Sequence, residues 1–305
     1  MRGKGLWTIL AAGGLAATFL AGGAAAQAND PCADWVPQPK PQNASRDIVG
    51  HDIDQIMDRG FIDIAVFEDF APWSWEENGE PRGVDIEIGR IIAEDLGVEP
   101  RFKFVDSGEN LDADLRNWIW KGPITGGSVA NVMLHVPYDS AYACRVEQVV
   151  FTGQAYAQKL AIAYDTEVYP EDPPIPAYFR FDTVAVANDT ISDFYLSSLA
   201  GGQMIPNIRR YPTTLAAMRA LADGEVSAAM GPLNDLEWGL DEGLAVHMPP
   251  LPGFSVGEWT LGLAVHFAYR GLSYTVDDSV RYALEDGRIA GIFEAYGLTH
   301  LPPER

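Results

Sequence analysis

From Phe61 onward, short apolar runs of strand character alternate with segments whose apolar residues recur at helical spacing. That alternation confines the chain to an α/β fold with mostly parallel strands. The first unit shows the pattern. FIDIAVF (61–67) alternates as a strand should, and VDIEIGRIIAEDL (84–96) carries an apolar stripe that stops at Gly97. The same reasoning predicts strands at 102–105, 129–136, 149–151, 160–164, 183–187, 226–230 and 260–265. Helices are predicted at 52–59, 111–120, 191–199, 213–222, 233–240, 277–284 and 289–296. Residues 68–82 read as a loop holding Phe70, Pro72, Trp73 and Trp75. Gly126-Gly127-Ser128 reads as a turn.

The N-terminus assigns a compartment. Arg2 and Lys4 precede an apolar, small-residue run from 6 to 26, and Ala26-Gln27-Ala28 fits a cleavage site. This order of parts is that of a secretory signal peptide spanning 1–28. The alternative, a retained anchor, is opposed by the glycine pairs 13–14 and 22–23, and no cysteine follows the run to carry a lipid. Residues 29–45, rich in proline, Gln and Asn, read as an extended arm.

Charge excludes some partners. Asp and Glu outnumber Lys and Arg by 43 to 21, for a formal net charge of −22. Such a surface repels nucleic acid and anionic membrane. No metal site is expected, because two cysteines and five scattered histidines show no ligand spacing. In an exported chain Cys32 and Cys144 can form a bridge that pins the arm; two free thiols are the alternative, and spacing does not decide between them.

Four segments in order resemble the periplasmic solute-binding proteins for polar amino acids, the family 3 type of ABC importers. The first is the strand, aromatic loop and helix of 61–98, with Gly83-Val84-Asp85-Ile86-Glu87-Ile88 opening the helix. The second is CRVEQVVFTGQAY (144–156), with Arg145 six residues ahead of Phe151. The third is DGEVSAAM (223–230). The fourth is GLAV (262–265) followed by VDDSVRYALEDGRIAGIFEAYGL (276–298). The resemblance covers roughly 60–300. It implies a type II periplasmic-binding-protein fold, two α/β lobes joined by two hinge strands, with lobe one at 46–156 plus 260–305 and hinge and lobe two at 157–259. It also implies a small polar ligand, carboxylate-bearing, in an inter-lobe cleft, a membrane permease as partner, no cofactor and no catalysis.

The same resemblance nominates the ligand-binding residues. Arg145 holds the position that grips a carboxylate, a role its planar, permanently charged guanidinium suits; a plain surface arginine is the alternative. Phe70 is placed as the stacking aromatic, with Trp73 beside it, while Trp75 reads as core. Thr190 and Ser192 fall where the second lobe presents a helix N-terminus, although an ordinary cap explains both. Tyr142 stands where a threonine is usual. Pro232 occupies the place of the acid that pairs the ligand's amine, leaving Asn234, Asp235 or Glu237 to substitute, of which Asp235 is taken as the candidate. Gly231-Pro232 is also similar to solute-binding-like proteins that serve periplasmic quinoprotein methanol or alcohol dehydrogenases and their cytochromes, a second reading of the partner. A third is a cyclohexadienyl-dehydratase-like enzyme on the same fold, for which Glu68, Asp69, Asp139 and Glu237 are conceivable acids. His135, on a predicted buried strand, reads as a hydrogen-bonded core residue.

Overall fold

The computed structural model describes residues 32–33, 35–36, 49–254 and 257–303. The predicted signal peptide and most of the predicted arm lie outside these residues. Among the described residues no helix is long and apolar enough to cross a membrane.

The first lobe assembles as its local signals direct. Helix α1 (Ile53–Arg59) starts in a capping box between Asp52 and Gln55 and ends on Gly60 in the left-handed conformation. Strand β1 (Phe61–Phe67) follows at once. The segment read as a loop contains a hairpin, β2 (Trp75–Glu77) and β3 (Glu80–Arg82). Its turn is Asn78-Gly79, both at positive φ (54° and 81°), the pairing a two-residue hairpin favours. Helix α2 (Val84–Leu96) begins at Gly83, where φ is 123° and a Cβ would stand 2.1 Å from the Trp73 carbonyl oxygen. Only glycine lets the aromatic loop lie that close to the helix start. Then come β4 (Glu99–Val105), α3 (Leu111–Leu115) running into a π-turn, β5 (Val132–Pro137) and α4 (Ser140–Ala143).

The runs predicted as separate strands at 149–151 and 160–164 are one strand, β6 (Val149–Asp165). Beyond it lie β7 (Val184–Ala187), α5 (Ile191–Ser198), β8 (Ile208–Tyr211), α6 (Thr214–Ala222), β9 (Ala228–Pro232), α7 (Leu233–Trp238), β10 (Leu244–His247), β11 (Glu258–His266), α8 (Arg270–Glu285) and α9 (Arg288–Ala295). Strands β8 and β10 were not expected from the pattern, and α8 begins seven residues before the predicted 277.

The main sheet runs β4-β1-β5-β11-β6-β9-β7-β8, with β10 also on β6. Two long strands make it bilobal. β11 pairs antiparallel with β6 from Glu258↔Lys159 to His266↔Val149. The far half of β6 then pairs with β9 and β10 instead. Each half of the sheet is covered on both faces. In lobe one, Ile62, Ile64 and Val66 pack beneath α2 and α8 while Ala65 and Met133 face the opposite cluster. In lobe two, Val184, Val186 and Met230 belong to one core and Ala185 and Ala229 to the other. Alternate residues thus feed two cores per lobe, which is why these strands read as continuous apolar runs.

Candidate functional site

The parallel strands of both lobes end at one gap, the usual place for a ligand in open α/β sheets. A cavity of about 520 Å³ lies there, within the range of small-molecule sites. Lobe one contributes Asp69, Phe70 and Ala71 from the loop after β1. Lobe two contributes Ala187, Asp189 to Ser192, Pro212 to Leu215, Pro232 and Asp235, and the crossing strands contribute Leu160 and Trp259. Leu160, Ile191 and Trp259 also border a wider groove of about 1100 Å³, which continues along the gap past Tyr138, Lys159 and Glu258.

Asp69 and Asp189 occupy matching places. Each is the second residue past the C-terminal end of a strand, β1 or β7, and each takes a left-handed backbone, φ 49° and 57°. Helices α5 and α6 both start at the cavity. Thr190 Oγ1 accepts from Asp193 N, and Thr213 Oγ1 accepts from Ala216 N at 3.1 Å. Ser192 is buried beside them, and its Oγ has no hydrogen-bond partner. Asp193 is fully engaged, receiving a fork from Arg210 with N–O distances of 2.8–3.0 Å.

Asp235 joins the lobes. It stands in the first turn of α7, and its Oδ1 accepts from Trp73 Nε1 at 2.8 Å. Its edge reaches the cavity while the carboxyl is enclosed; burial pushes its pKa up to about 6, against the opposing effects of the indole N–H and His135. Next to it is a polar cluster inside lobe one. His135 Nδ1 lies 3.0 Å from Asp85 Oδ2 and 3.0 Å from the Tyr156 hydroxyl, and that hydroxyl donates to Asp85 Oδ1 at 3.1 Å. His135 takes φ 59° within β5, at a break in the β5–β11 register. The expected hydrogen-bonded histidine is therefore present, held by a strained bulge.

Phe70, Thr190, Ser192 and Asp235 line the cavity. The other nominated residues are elsewhere. Trp73 is fully buried and stacks on Tyr156, rings 5.1 Å apart and 2° from parallel. It reaches the cleft only through the bond to Asp235, because the loop folds back under Gly83. Trp75 packs against Trp238 and Tyr296.

Arg145 corrects the carboxylate reading. Its side chain is exposed and borders a separate recess with Asp112, Arg116, Asn117 and Trp120; no residue lining that recess lines the cleft. Cys144 is bonded to Cys32 with a Cα separation of 5.5 Å, and Arg145 N closes a turn on Tyr142 O at 2.9 Å. That pinned turn leaves the guanidinium on the outer surface. Tyr142 is outside the cleft too: its hydroxyl donates to Asp112 and its ring meets Phe151 edge-on. Of the conceivable acids only Asp69 lines the cavity. Glu68 is hydrogen-bonded to Asp106, which raises its pKa. Asp139 caps α4, and Glu237 is held by Asn234 and Thr299. The residues sequence reasoning missed are Asp189, Thr213 and Trp259; Asp189 lies one position before the predicted helix cap, where only its left-handed turn aims it at the gap.

Neither protein-family models nor curated proteins match the chain. Solved structures do. An ancestral cationic amino acid solute-binding protein superposes with a TM-score of 0.66 at 18% identity, covering 80% of this chain and 99% of its own. The chain has the two-lobed periplasmic-binding-protein fold. An amino acid ABC transporter substrate-binding protein from Streptococcus pneumoniae, bound to L-arginine, has a TM-score of 0.58 at 18% identity, covering 82% and 99%. An ancestral amino acid-binding protein described as a precursor of cyclohexadienyl dehydratase has a TM-score of 0.57 at 19% identity, covering 80% and 98%.

Proposed function

We propose that this binding-protein scaffold is an exported solute-binding protein that captures a small polar solute between its lobes. The observation that carries the reading is the cavity at the converging strand ends of both lobes, floored by the two crossing strands. The neighbours that bind amino acids and serve ABC transporters support a transport role with a membrane permease as partner. Export rests on the signal-peptide pattern of residues 1–28. Arg145 has no part in this reading, since it borders another recess.

A thermal-shift screen of small solutes tests it. A ligand at 100 times its dissociation constant adds about 2.7 kcal/mol. The expected result is a clear rise in melting temperature with a solute, abolished by filling the cavity through Ser192→Trp. A rise that survives that change refutes cleft binding. Pro232, where the family has its amine-pairing acid, keeps the dehydrogenase-accessory reading as a rival. Co-purification with a quinoprotein dehydrogenase instead of a permease would favour it. Turnover of prephenate or arogenate would favour the enzymatic relative.

A further inference from the structure

We infer that the cleft selects a small organic cation lacking a carboxylate, an amine or a quaternary ammonium. This rests on the cleft being the binding site and adds the charge of its guest. Three aspartates line the cavity: Asp69 in lobe one, Asp189 in lobe two and Asp235, its carboxyl enclosed behind the wall, at the seam between them. Among the described residues lining it there is no lysine or arginine. Asp69 has no hydrogen-bond or ion-pair partner among the described residues. Asp189 accepts from the amide of neighbouring Asn188 and feels the charge of Arg210, but that guanidinium is held in a fork by Asp193.

Magnitudes decide the sign of the site. The N-termini of α5 and α6 open on the cavity and favour an anion, but each carries roughly half a positive charge at most. Together they amount to about +1, against up to three full negative charges. A guest carboxylate would meet net repulsion, with no guanidinium lining the cavity to receive it. A cation meets attraction, and Phe70 and Trp259 line the cavity with aromatic rings, whose faces stabilise an ammonium. The buried, unpartnered Oγ of Ser192 is a second and independent sign of a missing guest. A hydroxyl enclosed without a partner costs stability, and a guest N–H would satisfy it.

Agmatine and L-arginine form the decisive pair of probes, since they share a guanidinium tail and differ by the carboxylate. Calorimetry on the full mature chain at pH 7.5 is expected to show agmatine, putrescine or choline binding, with agmatine at least tenfold tighter than L-arginine. Asp69→Asn and Asp189→Asn, both at exposed positions, are each expected to weaken the bound cation about tenfold or more while leaving the melting temperature of the free protein near its original value. L-arginine binding tighter than agmatine, binding of succinate or L-glutamate alone, or no binding by any of these cations overturns the inference. The two readings fail differently. An anion that binds and is lost in Ser192→Trp leaves the cleft standing and removes the charge assignment. A cation that binds the Asp69→Asn, Asp189→Asn and Ser192→Trp variants undiminished removes the cleft itself.

Discussion

Asp235 concentrates the site's electrostatics in one carboxyl. Burial raises its pKa to about 6 from an ordinary value of 3.8. A carboxyl that holds its proton more tightly folded than unfolded contributes stability at low pH and loses it as pH rises from about 4 through 6. Between pH 5 and 7 the loss amounts to about 1 kcal/mol, on the order of the two titration curves combined. Trp73 and His135 face it from lobe one and Glu237 shares its helix, so Asp235→Asn is the control that keeps those groups in place. Urea unfolding at the two pH values is expected to show a smaller decline for the variant; an equal decline means the carboxyl titrates normally. Arg145→Ala belongs to the same scale. It is expected to leave ligand affinity within about twofold, because the side chain borders a different recess. Phe70, Thr190, Ser192 and Asp235, nominated through the family resemblance, line the cavity, because the loop after β1 and the starts of α5 and α7 end at the gap. Arg145 was misread because a motif specifies neighbours in sequence, while the exposure of its guanidinium depends on a turn tied to Cys32, 112 residues away.

At the scale of elements, the junction of the aromatic loop with α2 turns on Gly83. A methyl group there would stand 2.1 Å from one backbone oxygen, at a φ of 123°, so Gly83→Ala cannot be accommodated by a side-chain shift. The expected cost is about 3 kcal/mol or more by denaturant unfolding, whereas an alanine at Gly291, exposed inside α9 and meeting nothing, is expected to add about 0.5–1 kcal/mol. A Gly83→Ala variant as stable as the parent would show that the loop repacks freely. Strands and helices with strong periodicity were legible: β1 and α2 fall where the pattern puts them. β8 (IRRY) and β10 (LAVH) are four residues each, too short for a period to register, and they form because β7 and β6 offer free edges. The gap between the strands predicted at 149–151 and 160–164 holds Gly153 and the polar Gln154, Gln158 and Lys159. They belong to a crossing strand that passes from one core to the next, where no single apolar face persists.

Across the whole molecule, helix α7 fastens the lobes to each other at three points. Asp235 accepts from Trp73 of lobe one. Trp238 packs with Trp75 and Tyr296, ring centres 5.5 and 6.3 Å away. Glu237 accepts from Thr299 N at 2.8 Å, and Asn234 Nδ2 donates to Thr299 O at 2.8 Å. The C-terminal segment continues the seam, with Leu301 O accepting from Ala157 N and the Leu301 side chain packed on a lobe-two core. Hinge closure needs two arrangements of comparable free energy, and contacts that bridge the lobes weight the arrangement that makes them. The arrangement with these three fastenings is therefore expected to be populated before any guest arrives. Small-angle scattering is expected to give nearly the same radius of gyration with and without a bound solute. Trp238→Ala combined with Glu237→Gln removes two aromatic contacts and the charge behind the two hydrogen bonds from Thr299, and is expected to give a larger apo radius that contracts on binding. If the unmodified chain itself contracts markedly with ligand, α7 moves with the hinge and does not restrain it. The same pair of variants separates affinity from speed: a cleft held shut admits its guest slowly, so the association rate should rise when the seam is cut, even as the equilibrium constant weakens.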